Sequence, residues 1–238
     1  MRTLPLRFLL TLFALLLASA TAQARTIHIV AFGDSATAGW LVAHQNAYPA
    51  QLQAALRKKG YDVAVANEGV NGDTIAIALK RFDSAIAPGT DIAIVEFGTN
   101  DLRSGASMKT VRMRMSELIR SLRARKIEVL VVGLGSLDLA SVAKDNNVLY
   151  AQWKLPPGKY RARDGAHYNA QGYAIVVARM LPLLETLIAR AAQRCLISAV
   201  TAATYARKTR PQTYPRLLGR IYYDRVLLIR GRHLEASW

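Results

Sequence analysis

The chain has 238 residues, of which 52% are hydrophobic and 20% are charged, so it is long enough to bury a core and predicts a single folded domain. Its formal net charge of +16 fits either an anionic lipid surface or cell-wall polymer as a partner, or a solvated basic surface without one. Nucleic acid is not expected, because no RNA-binding or helix-turn-helix pattern accompanies the charge. Cys195 is the only cysteine, which excludes an intrachain disulfide and a zinc site built from several thiolates.

Residues 1–24 have the features of a secretory signal peptide. Two arginines give a positive start, residues 8–18 are apolar apart from one threonine, and residues 22–24 offer small side chains for cleavage. A retained membrane anchor is the alternative, although the apolar run is short for a permanent span. We expect a mature chain that begins at Arg25 and is exported, either to the periplasm or as a secreted protein.

The remaining sequence alternates short apolar runs with segments of helical spacing. In chain order it predicts a strand at 26–32, a helix at 47–59, a strand at 61–66, a helix at 74–87, a strand at 91–97, a helix at 108–126, a strand at 127–132, a short strand at 148–153 and a helix at 170–192. Apolar strands that alternate with helices indicate an α/β fold, with a parallel sheet covered on both faces. Right-handed crossovers bring the carboxyl ends of all strands to one edge, where such sheets bind ligands.

Residues 193–238 do not continue this pattern. From Arg194 to the end there are nine lysines or arginines and two acidic residues, interspersed with tyrosine. This composition predicts a basic, poorly ordered extension that is not catalytic and is suited to peripheral contact with an anionic membrane or cell wall. The predicted organisation is a signal peptide at 1–24, one domain at 25–192 and the extension at 193–238.

Polar residues concentrate in the loops after the first three strands, which read GDS, NEGVNGD and GTND. In the first loop, Ser35 exposes a hydroxyl at a strand-to-helix turn, where backbone N–H groups favour developing negative charge, so it is a candidate nucleophile. Two other interpretations fit this loop as well: a phosphate-cradling loop in which Ser35 and Thr37 hold a phosphate, and a helix N-cap without chemistry. This loop alone does not decide between them.

His167 is the histidine best placed to activate a serine. It lies in a loop before the last helix, three residues after Asp164, whereas His28 lies in the first strand, where we expect a buried structural role. Asp164 can accept one imidazole N–H, fix the tautomer and turn the other ring nitrogen towards Ser35. The alternative is a surface Asp–His pair that caps the last helix.

Gly72 and Asn100 are candidate donors to the oxyanion that acyl transfer creates. Asn100 carries an amide donor on the third loop, and Gly72 lets a backbone N–H approach where a side chain would obstruct. Both are also ordinary turn residues. A weaker alternative is metal-dependent hydrolysis by three acidic residues and a histidine: Asp34, Asp73, Asp101 and His167.

The blocks AFGDSATAG, NEGVNGDT, FGTND and DGAHYN resemble, in order and spacing, those of the SGNH hydrolases, also called the GDSL esterase/lipase family. Within this family the chain is most similar to the small bacterial periplasmic members described as arylesterase, acyl-CoA thioesterase and lysophospholipase L1. The resemblance covers about residues 26–192. It implies a three-layer α/β/α sandwich around a flavodoxin-like parallel sheet of about five strands, and no metal or organic cofactor.

The resemblance also implies roles for individual residues. Ser35 is the nucleophile, His167 the base and Asp164 the residue that orients it, while the Ser35 N–H, the Gly72 N–H and the Asn100 side chain form the oxyanion hole. The expected protein is a monomeric hydrolase of small-molecule or lipid carboxylic esters, with thioesters and lysophospholipids left open as substrates. The alternative is a flavodoxin-like module that binds phosphate or flavin without hydrolysis.

The sequence departs from the family pattern in three places. Ala36 stands where leucine is usual, and Tyr168 follows the histidine where proline is frequent, so the rim beside the base is expected to differ in shape. Residues 135–164 are fewer than in the better-known lipolytic relatives. That region helps to form the acyl pocket in the family, so no acyl-chain preference is predicted.

Overall fold

The computed structural model describes residues 25–156 and 158–208. The predicted signal peptide at 1–24, and residues 209–238 of the predicted extension, lie outside the described residues. Within them, one parallel sheet of five strands is formed in the order β2-β1-β3-β4-β5, which confirms the predicted α/β fold. The strands are β1 Ile27–Gly33, β2 Val63–Gly69, β3 Ile92–Glu96, β4 Glu128–Leu134 and β5 Leu149–Trp153.

Helices connect the strands and cover the sheet. They are α1 Ser35–Ala38, α2 Tyr48–Lys58, α3 Ile75–Lys80, α4 Phe82–Ala85, α5 Thr99–Arg103, α6 Met108–Ala124, α7 Ala140–Asp145 and α8 Ala170–Lys208, with a 3-10 turn at His44–Asn46. A helix after Ser35 was predicted without bounds, and α1 is that helix. The sequence pattern did not predict α5 or α7, because five or six residues are too few to show helical spacing.

Three predicted boundaries were wrong. The helix expected at 74–87 is two helices, because Arg81 closes α3 and turns its side chain towards the strand ends. The loop expected from residue 67 begins later, because β2 continues beside β1 as far as the Gly33–Gly69 pair. The helix expected to end at 192 continues to Lys208, since no proline or glycine interrupts it there.

The strands alternate their side chains between two cores, one on each face of the sheet. On one face, α2 and α8 cover Ile29, Ile94 and other strand residues. On the opposite face, helices that include α3, α4 and α6 cover Val30, Val95 and their neighbours. His28 shares the second face but is exposed, contrary to the buried role expected for it, because the helix layer does not reach the amino end of β1.

The sheet reverses its winding direction at β1. The chain passes from β1 outward to β2 and then crosses to β3 on the other side of β1. The loops after β1 and β3 therefore diverge at the carboxyl edge and leave a crevice between them, the usual ligand position in open α/β sheets. Ser35 follows β1 and Asn100 follows β3, so both lie at this crevice.

Helix α8 packs on the sheet along its first part. Arg190 and Arg194 form ion pairs with Glu128, a buried residue at the start of β4. The chain divides into two units after Arg194, so the fold above belongs to the first unit and residues 195–208 to the second. By length and composition, Ala170–Ser198 is apolar enough to cross a membrane, and 44% of its apolar 18-residue stretch is buried in the fold.

Candidate active site

The loop after β1 presents the Ser35 hydroxyl because a neighbouring residue caps the helix. Asp34 is the N-cap of α1, and its Oδ1 accepts the Ala36 N–H at 2.9 Å. Gly39 ends the helix in the left-handed region, with φ of 82°, after only four helical residues. The capping role proposed as an alternative for Ser35 therefore belongs to Asp34, and the serine hydroxyl is free for other contacts.

The structure brings Ser35 and His167 into hydrogen-bond contact across 132 positions of sequence. The Ser35 Oγ and the His167 Nε2 are 2.8 Å apart. On the other side of the ring, His167 Nδ1 and Asp164 Oδ2 are 2.5 Å apart. A hydroxyl, an imidazole and a carboxylate joined in this order are able to remove a proton from the serine oxygen.

Asp164 is held in place by its own loop. Its Oδ1 accepts the backbone N–H groups of Ala166 at 3.0 Å and of His167 at 3.1 Å, while Oδ2 faces the imidazole. These bonds favour the carboxylate, and chiefly the bond from the His167 side chain lowers the pKa of Asp164 to about 2. Asp164 is therefore ionised throughout the neutral range, as the orienting member of such a triad must be.

Asn100 lies in the first turn of α5 rather than in the open loop that was predicted, and both hydrogens of its amide are in use. Its Nδ2 donates to Asp34 Oδ2 and to the Asp73 carbonyl, each at 3.0 Å. These two bonds fix the amide beside the nucleophile loop. To act on an oxyanion, the amide must exchange one of these acceptors for the substrate oxygen.

Gly72 adopts a φ of 82°, a region that side chains other than glycine rarely enter. Its N–H has no acceptor among the described residues, and neither has the Ser35 N–H, so both remain available as donors. Ser35, Asn100 and His167 line one open cleft, whereas Gly72 is not part of its wall. Gly72 is instead linked to the site through the next residue, because the Asp73 carbonyl accepts from Asn100.

Tyr168 follows the base in sequence and lines the same cleft. Its ring is 1% exposed and packs edge-on against Trp153 and Tyr173, and its hydroxyl donates to the Trp153 carbonyl at 3.1 Å. The Arg161 guanidinium stacks over the same ring, 4.3 Å from its centre. The loop that carries His167 is thereby anchored to β5 and α8.

Arg81, which no sequence pattern predicted as a site residue, holds the rim together. Its Nε donates to the Asp73 carboxylate at 2.6 Å, and its Nη2 donates to the carbonyls of Glu68 at 2.9 Å and Gly33 at 3.3 Å. One guanidinium therefore joins the ends of β1 and β2 to the loop that contains Gly72. No local pattern marks this role, because the three acceptors meet only in the folded chain.

Glu96, the last residue of β3, was not predicted as a site residue either. It is 1% exposed, and its Oε2 accepts a hydrogen bond from Thr37 Oγ1 at 3.0 Å. The available signal was an acidic residue at the end of a strand that is otherwise apolar.

The four residues of the metal-dependent alternative are not gathered into one ligand set. Asp73 is bound by Arg81, and Asp101 accepts the Ile75 N–H at 2.9 Å and faces Arg114 Nη1 at 3.3 Å. Among the described residues, no group of three or more potential ligand side chains is arranged to hold a metal ion. These carboxylates organise the loops instead.

The structure defines an α/β protein with a Ser–His–Asp arrangement at the carboxyl edge of its parallel sheet. Residues 31–175 match the sequence model of the GDSL-like Lipase/Acylhydrolase family, so the chain belongs to that family. This confirms the resemblance seen in the sequence.

Two curated relatives agree with this assignment. The chain is 32% identical over 112 residues to a protein named Arylesterase from Vibrio mimicus, which covers 47% of the chain and 56% of the relative. It is 30% identical over 122 residues to Esterase TesA from Pseudomonas aeruginosa, which covers 51% of the chain and 60% of that protein. The chain thus aligns with less than two thirds of either relative.

Solved structures extend the likeness. The SGNH-hydrolase family esterase AlinE4 is 26% identical, with a TM-score of 0.53 over 69% of this chain and 98% of that one. A crystal structure of TesA matches with a TM-score of 0.60 over 68% of this chain and 99% of its own, and at 22% identity it supports the fold alone. The family match, the curated relatives and the likeness to AlinE4 favour the hydrolase over a flavin- or phosphate-binding module.

Proposed function

We propose that this chain is a serine hydrolase that cleaves carboxylic esters through an acyl-enzyme on Ser35. The observation that carries the proposal is the 2.8 Å contact between Ser35 Oγ and His167 Nε2, with Asp164 on the other ring nitrogen. A serine hydroxyl is a weak nucleophile by itself, and such a base activates it. Membership in the GDSL-like family supports the same chemistry.

The reaction proceeds in two halves. His167 Nε2 takes the hydroxyl proton as Ser35 Oγ bonds to the acyl carbon, and the imidazolium then gives this proton to the leaving alcohol as the ester bond breaks. In the second half, water gives a proton to His167 and attacks the acyl carbon. The bond to Ser35 Oγ breaks and the serine regains its proton, which releases the carboxylic acid.

Three donors stabilise the oxyanion in each half. The N–H groups of Ser35 and Gly72 have no acceptor among the described residues, and the Asn100 amide gives up one of its two bonds to reach the substrate oxygen. Asp164 keeps the imidazole in the correct tautomer and stabilises its charged form, because this carboxylate stays ionised.

The substrate class is small-molecule or lipid esters. The same groups act on oxygen esters, thioesters and lysophospholipids, because the leaving atom is protonated by His167 in each case. A panel of esters that varies the acyl length and the leaving group distinguishes them.

We also propose a role for each of the three segments of the chain. Residues 25–192 form the catalytic domain, residues 1–24 direct export to the periplasm or beyond, and the basic extension at 193–238 contacts an anionic membrane or cell wall. The proposed catalytic unit is a monomer and uses no cofactor. N-terminal sequencing of the exported protein tests the cleavage site before Arg25.

A fluorophosphonate probe and a nitrophenyl ester test the central proposal. The probe is expected to label wild-type protein at Ser35, and Ser35→Ala is expected to lose labelling and about 10⁴-fold or more of the hydrolysis. Ser84→Ala, which removes an exposed hydroxyl bonded to the Arg81 carbonyl, is the matched control and keeps both properties. Undiminished hydrolysis by Ser35→Ala would refute the acyl-enzyme.

A further inference from the structure

Two acidic side chains are buried directly beneath the nucleophile loop, and the mechanism above uses neither as a reacting group. Asp34 is 2% exposed and Glu96 is 1% exposed. Gly33, the residue before Asp34, pairs with Glu96 in the sheet, so the two carboxyl groups face each other at the ends of adjacent strands. Removing two charges from water at one place is costly unless something compensates them.

The groups around this pair do not supply a positive charge to balance both acids. Thr37 from α1, Tyr48 from α2 and Tyr173 from α8 face the pair with hydroxyl groups. His167 faces Asp34 from the loop before α8, and its ring is already shared between Ser35 and Asp164. The guanidinium of Arg81 is directed to the Asp73 carboxylate and to backbone carbonyls.

One oxygen of Glu96 lacks a partner in this arrangement. Oε2 accepts from Thr37, but Oε1 is buried without a hydrogen-bond partner among the described residues. A buried polar atom without a partner is uncommon, and a proton on Oε1 would convert it into a donor facing Asp34. Burial raises the pKa of both carboxyl groups, and the charge of Asp34 raises that of Glu96 further.

Asp34 connects this pair to the reacting groups. Its Oδ1 accepts the Ala36 N–H, which fixes the turn that carries Ser35, and its Oδ2 accepts from the Asn100 amide. The charge on Asp34 therefore lies one hydrogen bond from the proposed oxyanion donor. A second negative charge at the same place would oppose the oxyanion that must form beside it.

We propose that Asp34 and Glu96 hold a single proton between them, so that Glu96 donates to Asp34 and acts as a positioning residue for the nucleophile loop and the Asn100 amide. The pair then carries one negative charge in the resting enzyme. When the shared proton is lost at high pH, the two carboxylates repel each other, the turn at Ser35 shifts and the site loses activity. The link to activity rests on the proposed ester hydrolysis, whereas the shared proton does not.

The activity test uses Glu96→Gln, which keeps an acceptor for Thr37 and a donor towards Asp34 but cannot ionise. kcat/KM is measured with a nitrophenyl ester from about pH 6 to about pH 10, and the ratio of variant to wild type is expected to rise by about tenfold per pH unit once the wild-type pair ionises. Glu117→Gln, on the exposed face of α6, is the matched control and should give a constant ratio. A constant ratio for Glu96→Gln overturns the catalytic part of the proposal.

Thermal stability and infrared spectra test the shared proton without an activity measurement. In the folded protein the pair keeps a proton that the unfolded chain loses above about pH 4.5, so wild-type stability falls as pH rises towards the folded-state pKa. The Tm of Glu96→Gln relative to wild type is therefore expected to increase with pH. Infrared difference spectra at neutral pH should show the band of one protonated carboxylic acid in wild type that Glu96→Gln lacks.

Each failure has a distinct meaning. If wild-type protein shows the carboxylic-acid band but hydrolyses no ester, the shared proton stands and the proposed function fails. If wild type hydrolyses esters but shows no such band and no pH-dependent Tm difference, the function stands and the shared proton is refuted. Should Glu96→Gln not fold, Asp34→Asn, which replaces the charged acceptor of the shared proton with an amide, must shift the frequency of the band, and an unshifted band in that variant refutes the pair.

Discussion

At the scale of single residues, the site depends on which acceptor each hydrogen-bond donor contacts. Asp34 caps α1, which leaves the Ser35 hydroxyl to face His167 Nε2 at 2.8 Å. Asp164 occupies the remaining ring nitrogen and is itself held by two backbone N–H groups. Small changes to these acceptors should therefore alter catalysis more than they alter stability.

Asp164→Asn tests the orienting residue. An amide can donate to His167 Nδ1 and so favour the wrong tautomer, but Asp164 is about 30% exposed, so water replaces part of its effect. We expect kcat to fall by about 100-fold with little change in KM. A fall of less than about threefold in steady-state assays with a nitrophenyl ester would show that Asp164 does not orient the base.

The same residue gives a pH dependence with a defined sign. The pKa of Asp164 is about 2 in the folded protein and about 4 when unfolded, so its contribution to stability is present above about pH 4 and disappears as pH falls towards 2. The difference in Tm between wild type and Asp164→Asn should therefore shrink over this interval. Thermal unfolding at several acidic pH values measures it, and a difference that grows with acidity would contradict the assignment.

Asn100→Ala tests the oxyanion donor. Removing one side-chain donor from such a hole typically lowers kcat by about 10²- to 10³-fold. Because the amide also bonds Asp34 and the Asp73 carbonyl, its removal leaves two acceptors unsatisfied, and we expect a loss of stability of about 1–2 kcal/mol as well. Asn100→Asp keeps the shape but reverses the polarity, so a variant that remained active would exclude this residue as a donor.

At the scale of elements, the carboxyl edge of the sheet is held together by Arg81, between α3 and α4. Its guanidinium joins Gly33, Glu68 and Asp73, and it stacks 4.6 Å above the centre of the Phe32 ring. The ends of β1 and β2 are therefore joined to the loop that contains Gly72.

Arg81→Ala is expected to cost about 3 kcal/mol in unfolding free energy, because it leaves the nearly buried Asp73 carboxylate without its partner. It should also lower kcat/KM by about tenfold, since the Asp73 carbonyl that positions Asn100 loses its support. Urea denaturation and ester hydrolysis measure the two effects. Lys80→Ala removes the adjacent exposed cation and should change neither, so equal losses in both variants would show a general effect of charge.

At the scale of the whole molecule, the first unit carries the site and ends with an ion pair. Arg194 is the last residue of that unit, and with Arg190 it compensates the buried Glu128 at the start of β4. The residues of the catalytic cleft all precede it in sequence. The remainder of the chain adds a large share of the positive charge.

Ending the chain after Arg194 is therefore expected to leave kcat/KM on a small soluble ester within about twofold, while binding to vesicles of anionic lipid is lost. Binding of the full-length chain should weaken as salt is raised, because charge attraction is screened. Co-sedimentation with anionic and neutral vesicles measures this difference. Equal binding by the shortened chain would place the contact surface in the first unit.

The sequence by itself determined the fold class and the candidate reacting groups. Strands such as residues 91–97 are apolar at their centre, which indicates a parallel sheet, and the polar blocks outside the strand centres contain Ser35, Asn100 and His167 in a recognisable order. These features are local, so they can be read from neighbouring residues. The same reasoning placed Asn100 in a loop instead of α5, because so short a helix leaves no periodic pattern.

The tertiary structure alone decided which side chains from different elements contact each other. The closure of Ser35 on His167, the use of both Asn100 hydrogens and the brace formed by Arg81 each join residues far apart in sequence. In the sequence, Glu96 is one acidic residue at the end of a strand, and only the fold buries it next to Asp34. Such contacts depend on burial and on the meeting of distant elements, which no local spacing encodes.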